Sequence, residues 1–173
     1  SACLVGSERC IRDRGCMAEA MGMSLPGSAV IPAVYAERMQ MAYETGRAVM
    51  KLVEAGISAR QIITRKSIEN AIAVLMGIGG STNAIMHLQA IHKEAGLGRL
   101  DLDVFDAFSR RVPQIASVYP ASPYDMVDFY EAGGVPAVMK ELSAYLHPEC
   151  LTVTKDTVAD YVLKAQESNR REV

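Results

Sequence analysis

Apolar residues recur at three- and four-residue steps through most of this chain, which restricts it to a fold built mainly from amphipathic helices. The longest such run covers residues 33 to 55, where charged residues fill the positions between the apolar ones. Gly56 follows the run and is well suited to end the helix. Gly46 interrupts it at a cost of about 1 kcal/mol relative to alanine, and we interpret it as a point of close packing against another helix.

A Gly-Gly pair divides the next apolar region into two helices. The first is predicted from residue 67 to residue 78 and is ended by Gly79 and Gly80. Ser81 or Thr82 can cap the second helix, since both have a side-chain oxygen suited to that position. The pattern therefore predicts a helix, a glycine turn and a second helix in immediate succession.

The rest of the chain continues this mainly helical organisation. Further helices are predicted at 103–111, at 125–132, at 136–145 with a proline at the first helical position, and from 156 onward. Two short strands are predicted at 115–119 and 151–154. No repeat or linker divides the chain, so one mainly α-helical unit with two short strands is expected.

Composition excludes several classes of protein. The net charge of −2 leaves no basic surface for nucleic acid, and the longest apolar run, around residues 71 to 78, is too short to span a membrane. The first residues have neither a positive segment nor a continuous apolar one, so no signal peptide is expected. The thiols are therefore expected to be reduced in a cytoplasmic protein. The cysteines are Cys3, Cys10, Cys16 and Cys150.

The strongest local motif is Gly79-Gly80-Ser81-Thr82-Asn83. At a helix start it brings together backbone N–H groups, two hydroxyls and an amide, a combination that can hold a carboxylate. A simpler interpretation is that the glycines only permit a tight turn and that the serine only caps the helix. The motif lacks the lysine of a phosphate-binding Walker loop and the spaced third glycine of a dinucleotide site, so nucleotide binding is not favoured.

The histidines carry no comparable pattern. His87 and His92 are five residues apart, which on one helix places them about 140° apart around the axis and prevents joint chelation of an ion. We interpret them as surface or packing residues. His147 precedes Pro148 in a predicted loop and has no recognisable partner.

Five segments, taken in order, resemble the dihydroxy-acid dehydratase and phosphogluconate dehydratase family. They are Cys-Met-Ala-Glu-Ala-Met-Gly-Met-Ser-Leu-Pro-Gly at 16–27, Ser-Ile-Glu-Asn-Ala at 67–71, Gly-Gly-Ser-Thr-Asn-Ala at 79–84 followed by His-Leu at 87–88, Val-Pro-Gln at 112–114, and Glu-Ala-Gly-Gly-Val-Pro-Ala-Val-Met at 131–139. The resemblance extends from about residue 15 to about residue 155.

The resemblance implies a hydro-lyase that removes water from a 2,3-dihydroxy carboxylic acid to give a 2-keto acid. Such enzymes use an iron–sulfur cluster as Lewis acid, a magnesium ion, and a serine as base. It also implies an α/β N-terminal domain, of which this chain is a mainly helical fragment. Branched-chain amino-acid biosynthesis, a small-molecule dihydroxy acid as substrate and a homo-oligomer when complete are the expected setting.

Carried over residue by residue, the resemblance leaves little of the catalytic machinery within this chain. The family's Cys-Asp-Lys segment would lie upstream of Ser1, and its Thr-Asp-Gly-Arg segment with the base serine would lie downstream of Val173. Cys3 matches the context of the third cluster cysteine and is the one candidate iron–sulfur ligand. The motif from Gly79 to Asn83 is expected near the substrate or the cluster edge. The segment alone is expected to be inactive and to hold neither cofactor.

Residues 4–14 depart from the family pattern and place Cys3 about two residues too far from Glu19. We interpret this stretch as the product of a shifted or truncated reading frame. The expected organisation is a divergent, poorly ordered segment at 1–14, the helical part of the dehydratase domain at 15–165, and a polar tail at 166–173. The alternative is a small helical binding or assembly module without catalysis.

Overall fold

A computed structural model describes residues 13–119, 121–165, 170, 172 and 173, and these are mainly helical, as predicted. The helices are α1 (helical from 13 to 20), α2 (Ala36–Glu54), α3 (Ala59–Ile62), α4 (Arg65–Gly77), α5 (Thr82–Glu94), α6 (Leu102–Arg111), α7 (Met126–Glu131), α8 (Gly134–Glu141) and α9 (Val158–Lys164), with a 3-10 turn at Ser143–Tyr145. None of the helices in these ranges is both long and apolar enough to cross a membrane.

Helix α4 lies at the centre of the core. Nine of its 13 residues are buried, and it packs against α5, α6 and α8. Apart from Arg65, Lys66 and Glu69 near its start, its side chains are mainly small or branched and apolar, which is the pattern of a helix covered by others. The helix begins two residues before the predicted Ser67, because Thr64 is the cap. The Thr64 Oγ1 accepts a hydrogen bond from the Ser67 N–H at 3.2 Å, and the Ser67 Oγ accepts one from the Thr64 N–H at 2.8 Å.

Both strand predictions were wrong in the described structure. Residues 115–118 have no regular secondary structure and Tyr119 lies in a turn; the N–H groups of Ile115 and Ala116 donate to the Gly77 carbonyl at 2.7 and 3.0 Å. The 151–154 segment contributes only one antiparallel bridge, between Leu151 and Thr157. Alternating apolar residues mark a chain that is buried on one side, and here helix α4 provides the buried surface instead of a neighbouring strand.

Helix α8 begins and ends earlier than predicted. It starts at Gly134 instead of Pro136, so the proline occupies the first turn, where its missing N–H leaves no hydrogen bond unmade. The preceding Gly133 has a φ of 107°, in the left-handed region that favours glycine. The helix ends at Glu141, and the chain continues as a separate 3-10 turn.

Helix α2 has the predicted position but not the predicted packing. None of its 19 residues is buried, and no described atom lies within 4 Å of where a Gly46 Cβ would stand. The helix rests on the loop at 22–30, where the Arg38 guanidinium donates to the Ser28 carbonyl at 3.1 Å. Within the described parts of the chain, therefore, no second helix covers Gly46.

The two ends of the chain are described only in part. Residues 1–12 lie outside the described residues, as do Cys3, Cys10 and most of the predicted tail at 166–173. Asp13 and Arg14, which were grouped with the divergent segment, belong to α1. Cys16 and Cys150 are buried and not joined in a disulfide.

Candidate functional site

The Gly79-to-Asn83 motif forms the turn between α4 and α5. Gly79 has a φ of 58°, its N–H donates to the Met76 carbonyl at 3.2 Å, and the Gly80 N–H donates to the Leu75 carbonyl at 2.9 Å. This pair of hydrogen bonds around a left-handed glycine is a Schellman motif, which satisfies carbonyls left open at the end of α4. The turn is thus as tight as the glycine pair predicted.

A side chain at Gly80 would collide with a neighbouring residue. This steric reason, and not an unusual backbone angle, favours glycine at this position. A Cβ at this position would stand 2.2 Å from the Leu75 Cδ1, well inside any real contact distance. Leu75 is itself buried, so it has little room to move away. Gly80 therefore lets the chain pass directly over the last turn of α4 and brings the start of α5 close to it.

The start of α5 already faces a carboxylate of the chain itself. Ser81 is the N-cap, and its N–H donates to the Asp13 Oδ2 at 2.7 Å. Asp13 lies on α1 and is only 4% exposed. A negative group at this helix terminus is favourable. Its source was missed, because 68 residues separate Asp13 from Ser81 and no local spacing links them.

The side chains of the motif differ in their surroundings. Thr82 and Asn83 are exposed, whereas the Ser81 Oγ is buried and makes no capping hydrogen bond within the described residues. A buried hydroxyl without a partner costs free energy, on the order of 1–3 kcal/mol. The motif therefore offers a polar surface at the α5 terminus, with a hydroxyl oriented inward that has hydrogen-bonding capacity to spare.

A buried carboxylate behind this site was also missed. Glu19 on α1 accepts hydrogen bonds from the N–H groups of Gly27 and Ala29 at 2.7 and 2.9 Å, and from the Tyr161 hydroxyl at 2.7 Å. Burial raises the pKa of the Glu19 carboxyl above its ordinary value, although the three hydrogen bonds act in the opposite direction. Burial and the adjacent carboxylate also raise the pKa of Tyr161, which remains a donor. Glu19 thereby joins α1, the 22–30 loop and α9.

The Ser-Ile-Glu-Asn segment of α4 has a positioning role. Asn70 is fully buried; its Nδ2 donates to the His147 carbonyl at 3.2 Å and its Oδ1 accepts from the His147 N–H at 2.6 Å. The imidazole Nε2 of His147 lies 2.7 Å from a carboxylate oxygen of Glu69. His147 therefore does have a partner, which sequence spacing could not reveal across 78 residues.

The other two histidines occupy separate environments. His92 is buried, with its Nδ1 3.0 Å from the Gly98 carbonyl, and His87 is exposed on α5. This agrees with their interpretation as packing and surface residues. Among the described residues, no group of three or more histidine, cysteine or acidic side chains is arranged to hold a metal ion. These residues therefore do not fit an iron–sulfur cluster, and Cys3 lies outside them.

Comparison with known proteins places this arrangement in a family. The sequence profile described as "Dihydroxy-acid/6-phosphogluconate dehydratase N-terminal" matches residues 14–161. The chain is 48% identical to a dihydroxy-acid dehydratase of Ignicoccus hospitalis over 86% of its own length and 27% of the relative's. It is 51% identical to one from Halothermothrix orenii over 83% of its length and 26% of the relative's.

The extent of the family match also agrees with the position of the five family-like segments in the sequence. A third relative, from Sulfurisphaera tokodaii, is 50% identical over 83% of this chain. The chain spans about a quarter of the length of these relatives, and the profile match begins where the divergent stretch at 4–14 ends. The chain therefore belongs to the dihydroxy-acid/6-phosphogluconate dehydratase family and corresponds to part of its N-terminal domain.

Proposed function

We propose that this chain is part of a cytoplasmic hydro-lyase that converts 2,3-dihydroxy carboxylic acids to 2-keto acids in branched-chain amino-acid biosynthesis. The continuous match over residues 14–161, together with relatives named dihydroxy-acid dehydratase, supports this proposal most directly. The complete protein would act on a small-molecule substrate and would be a homo-oligomer. The chain by itself would be inactive.

The turn from Gly79 to Asn83 would form one wall of the substrate site or border the cluster. Three observations support this role: the exposed Thr82 and Asn83 side chains, the inward Ser81 hydroxyl, and the preference of the α5 terminus for a negative group. The hydrogen bond from the Ser81 N–H to the Asp13 carboxylate supports the role as well, because a carboxylate oxygen is accommodated at this terminus. A substrate carboxylate has the same charge and the same acceptor atoms.

The cofactors would come from elsewhere in the complete protein. The resemblance implies an iron–sulfur cluster and a magnesium ion, but the described residues form no suitable ligand set. Cys3 stays the one candidate ligand within this sequence, and a lone cysteine does not hold a cluster. The contribution of this chain would be a rigid helical support that orients the turn.

Substitutions in a complete relative test the role of the turn. In the Halothermothrix orenii protein, the changes corresponding to Ser81→Ala and Asn83→Ala are expected to lower kcat/KM at least about tenfold, because each removes a hydrogen bond to a charged group worth roughly 1.5–3 kcal/mol. The counterpart of Ser109→Ala, on the exposed face of α6, serves as the matched control. Unchanged kcat and KM in both folded variants, with normal iron content, would contradict the proposed role.

A further inference from the structure

A cleft of about 300 Å³ lies between the 22–30 loop and the first half of α2. Its walls include Gly15 of α1, Ser24 and Ser28 of the loop, and Arg38 of α2. Small-molecule sites generally combine a cavity of this size with a few polar groups that point into it. The cleft therefore has the dimensions and the polar residues of a small-molecule site.

The cleft is separate from the turn between α4 and α5. Asp13 of α1 accepts the hydrogen bond from the Ser81 N–H, whereas Gly15 lines the cleft. Residues two positions apart on a helix point about 200° away from each other. The turn and the cleft thus lie on different sides of α1, and no residue of the turn lines the cleft. A ligand in the cleft would be additional to the substrate proposed for the turn.

Arg38 gives the cleft a positive charge. Its Nη1 donates a hydrogen bond to the Ser28 carbonyl at 3.1 Å, which holds the guanidinium beside the loop. Among the described lining residues, Arg38 is the one charged side chain, and no carboxylate of the described chain pairs with it. The remaining N–H groups of the guanidinium are a planar fork that suits carboxylate and phosphate oxygens. The charge of the cleft favours an anion.

Ser24 and Ser28 add two hydroxyls from the opposite wall. Both residues are half-buried, and neither hydroxyl forms a hydrogen bond with the described residues. The loop that carries them is fixed, because Glu19 accepts hydrogen bonds from the N–H groups of Gly27 and Ala29, on either side of Ser28. Donors that are already held in place bind a ligand without first losing their own freedom of movement.

The number of donors favours phosphate over a carboxylate. A phosphate group has four oxygens, so it can accept hydrogen bonds from the guanidinium fork and from both serine hydroxyls at once. A carboxylate has two oxygens, and a bidentate contact with the arginine would use both of them. The serine hydroxyls would then have to share oxygens that already accept from Arg38.

We propose that the cleft between the 22–30 loop and α2 binds a phosphate-class oxyanion, either the free ion or the end group of a small phosphate monoester. Arg38, Ser24 and Ser28 are the groups that hold it. Because Arg38 is exposed on its outer side, water and salt compete with the ligand. Binding is therefore expected to have a dissociation constant on the order of 1 mM and to weaken as the salt concentration rises.

A titration of the isotope-labelled 173-residue chain with inorganic phosphate, followed by NMR at constant ionic strength, tests the site. Saturable shifts are expected at the backbone amides of residues 24 to 29 and at the Arg38 side chain. Arg38→Gln is expected to raise the dissociation constant at least about tenfold, since it removes hydrogen bonds to a charged group. Ser24→Ala and Ser28→Ala should each raise it at least about threefold.

The serine variants keep the test independent of folding. Neither hydroxyl contributes a hydrogen bond to the described chain, so the melting temperature of both variants should be unchanged. Arg47→Gln is the matched control, because Arg47 is paired with Glu44 and lies about 180° around the same helix from Arg38. It should leave the dissociation constant for phosphate within about twofold of the original.

Two further anions identify the ligand chemistry. Acetate is expected to bind at least about threefold more weakly than phosphate, because it has fewer acceptor oxygens. Methyl phosphate that binds as well as phosphate would identify a monoester as the ligand, and its failure to bind would identify the free ion. The absence of saturable shifts up to about 20 mM phosphate would overturn the proposal. Equal weakening by Arg38→Gln and Arg47→Gln, or acetate binding as tight as phosphate binding, would overturn it as well.

Discussion

At the scale of single residues, Glu19 has the most consequence for this fold. One carboxylate accepts hydrogen bonds from two backbone groups of the 22–30 loop and from Tyr161, which is 142 residues away in sequence. The loop supports α2, and Tyr161 holds α9 against the core. A charged group is rarely buried unless its oxygens are satisfied in this way.

Glu19→Gln is expected to destabilise the chain by roughly 1–3 kcal/mol, since both oxygens of the carboxyl group can accept a hydrogen bond in either protonation state, whereas the amide nitrogen cannot accept one. Because burial raises the folded-state pKa of Glu19, the folded chain binds the proton more tightly than the unfolded chain does. The stability that Glu19 contributes is therefore full below its ordinary pKa and declines as the pH rises through the raised value. The loss on substitution should be largest at acid pH.

Urea unfolding at about pH 4 and about pH 7 measures this effect. Glu94→Gln, at the exposed end of α5, is the control and should change stability by less than about 0.5 kcal/mol. A loss for Glu19→Gln that grows with pH would mean that the three donors outweigh burial and hold the pKa of Glu19 below its ordinary value.

At the scale of elements, the α4–α5 turn and helix α2 contain glycines with opposite roles. Gly80 passes so close to Leu75 that a Cβ at this position would have to displace the Leu75 side chain, whereas Gly46 faces open space. The sequence predicted close packing at Gly46 and a tight turn at Gly80. The surrounding residues in the folded chain distinguish the two: they leave no free space at Gly80 but open space at Gly46.

Gly80→Ala is expected to cost about 1–3 kcal/mol, because the new methyl group must displace a buried leucine side chain. Gly46→Ala is the matched control and should stabilise the chain by up to about 1 kcal/mol through helix propensity alone. Chemical unfolding of the two variants and the original chain measures both. The two substitutions are expected to change stability in opposite directions, and a neutral Gly80→Ala would show that Leu75 has room to move.

At the scale of the whole molecule, the chain has a core of its own but only part of a family enzyme. Nine of the 13 residues of helix α4 are buried, and α8 packs against both α4 and α9. By contrast, α2 exposes an apolar stripe, and the described residues form no metal-ligand set. A core of this kind can stabilise the folded chain, but it does not supply the groups that would bind a metal cofactor.

The purified chain is accordingly expected to melt cooperatively and to stay colourless after anaerobic incubation with iron and sulfide. A lone candidate ligand, Cys3, does not hold a cluster, which takes several thiolates. Visible absorption of the reconstituted chain measures this, with Cys3→Ser as the control. A thiolate-to-iron absorption band that is lost in Cys3→Ser would contradict the expectation and give this chain a cofactor of its own.

The sequence by itself determined the helices and the family. Apolar spacing located α2, α4 and α5, and the glycine pair located the turn between them, because these features depend on residues within a few positions of one another. The ordered motifs from 16 to 139 identified the family for the same reason, since each motif is local.

Only the tertiary structure decided what these elements contact. It brought Asp13 to the start of α5 and Tyr161 to Glu19, and it placed the 115–119 segment on the end of α4 instead of in a sheet. It also left Met39, Tyr43, Met50 and Val53 of α2 exposed within the described chain. Local periodicity indicates which face of a helix is apolar. Which residue contacts that face depends on how distant segments pack together, and this information is spread over the whole chain.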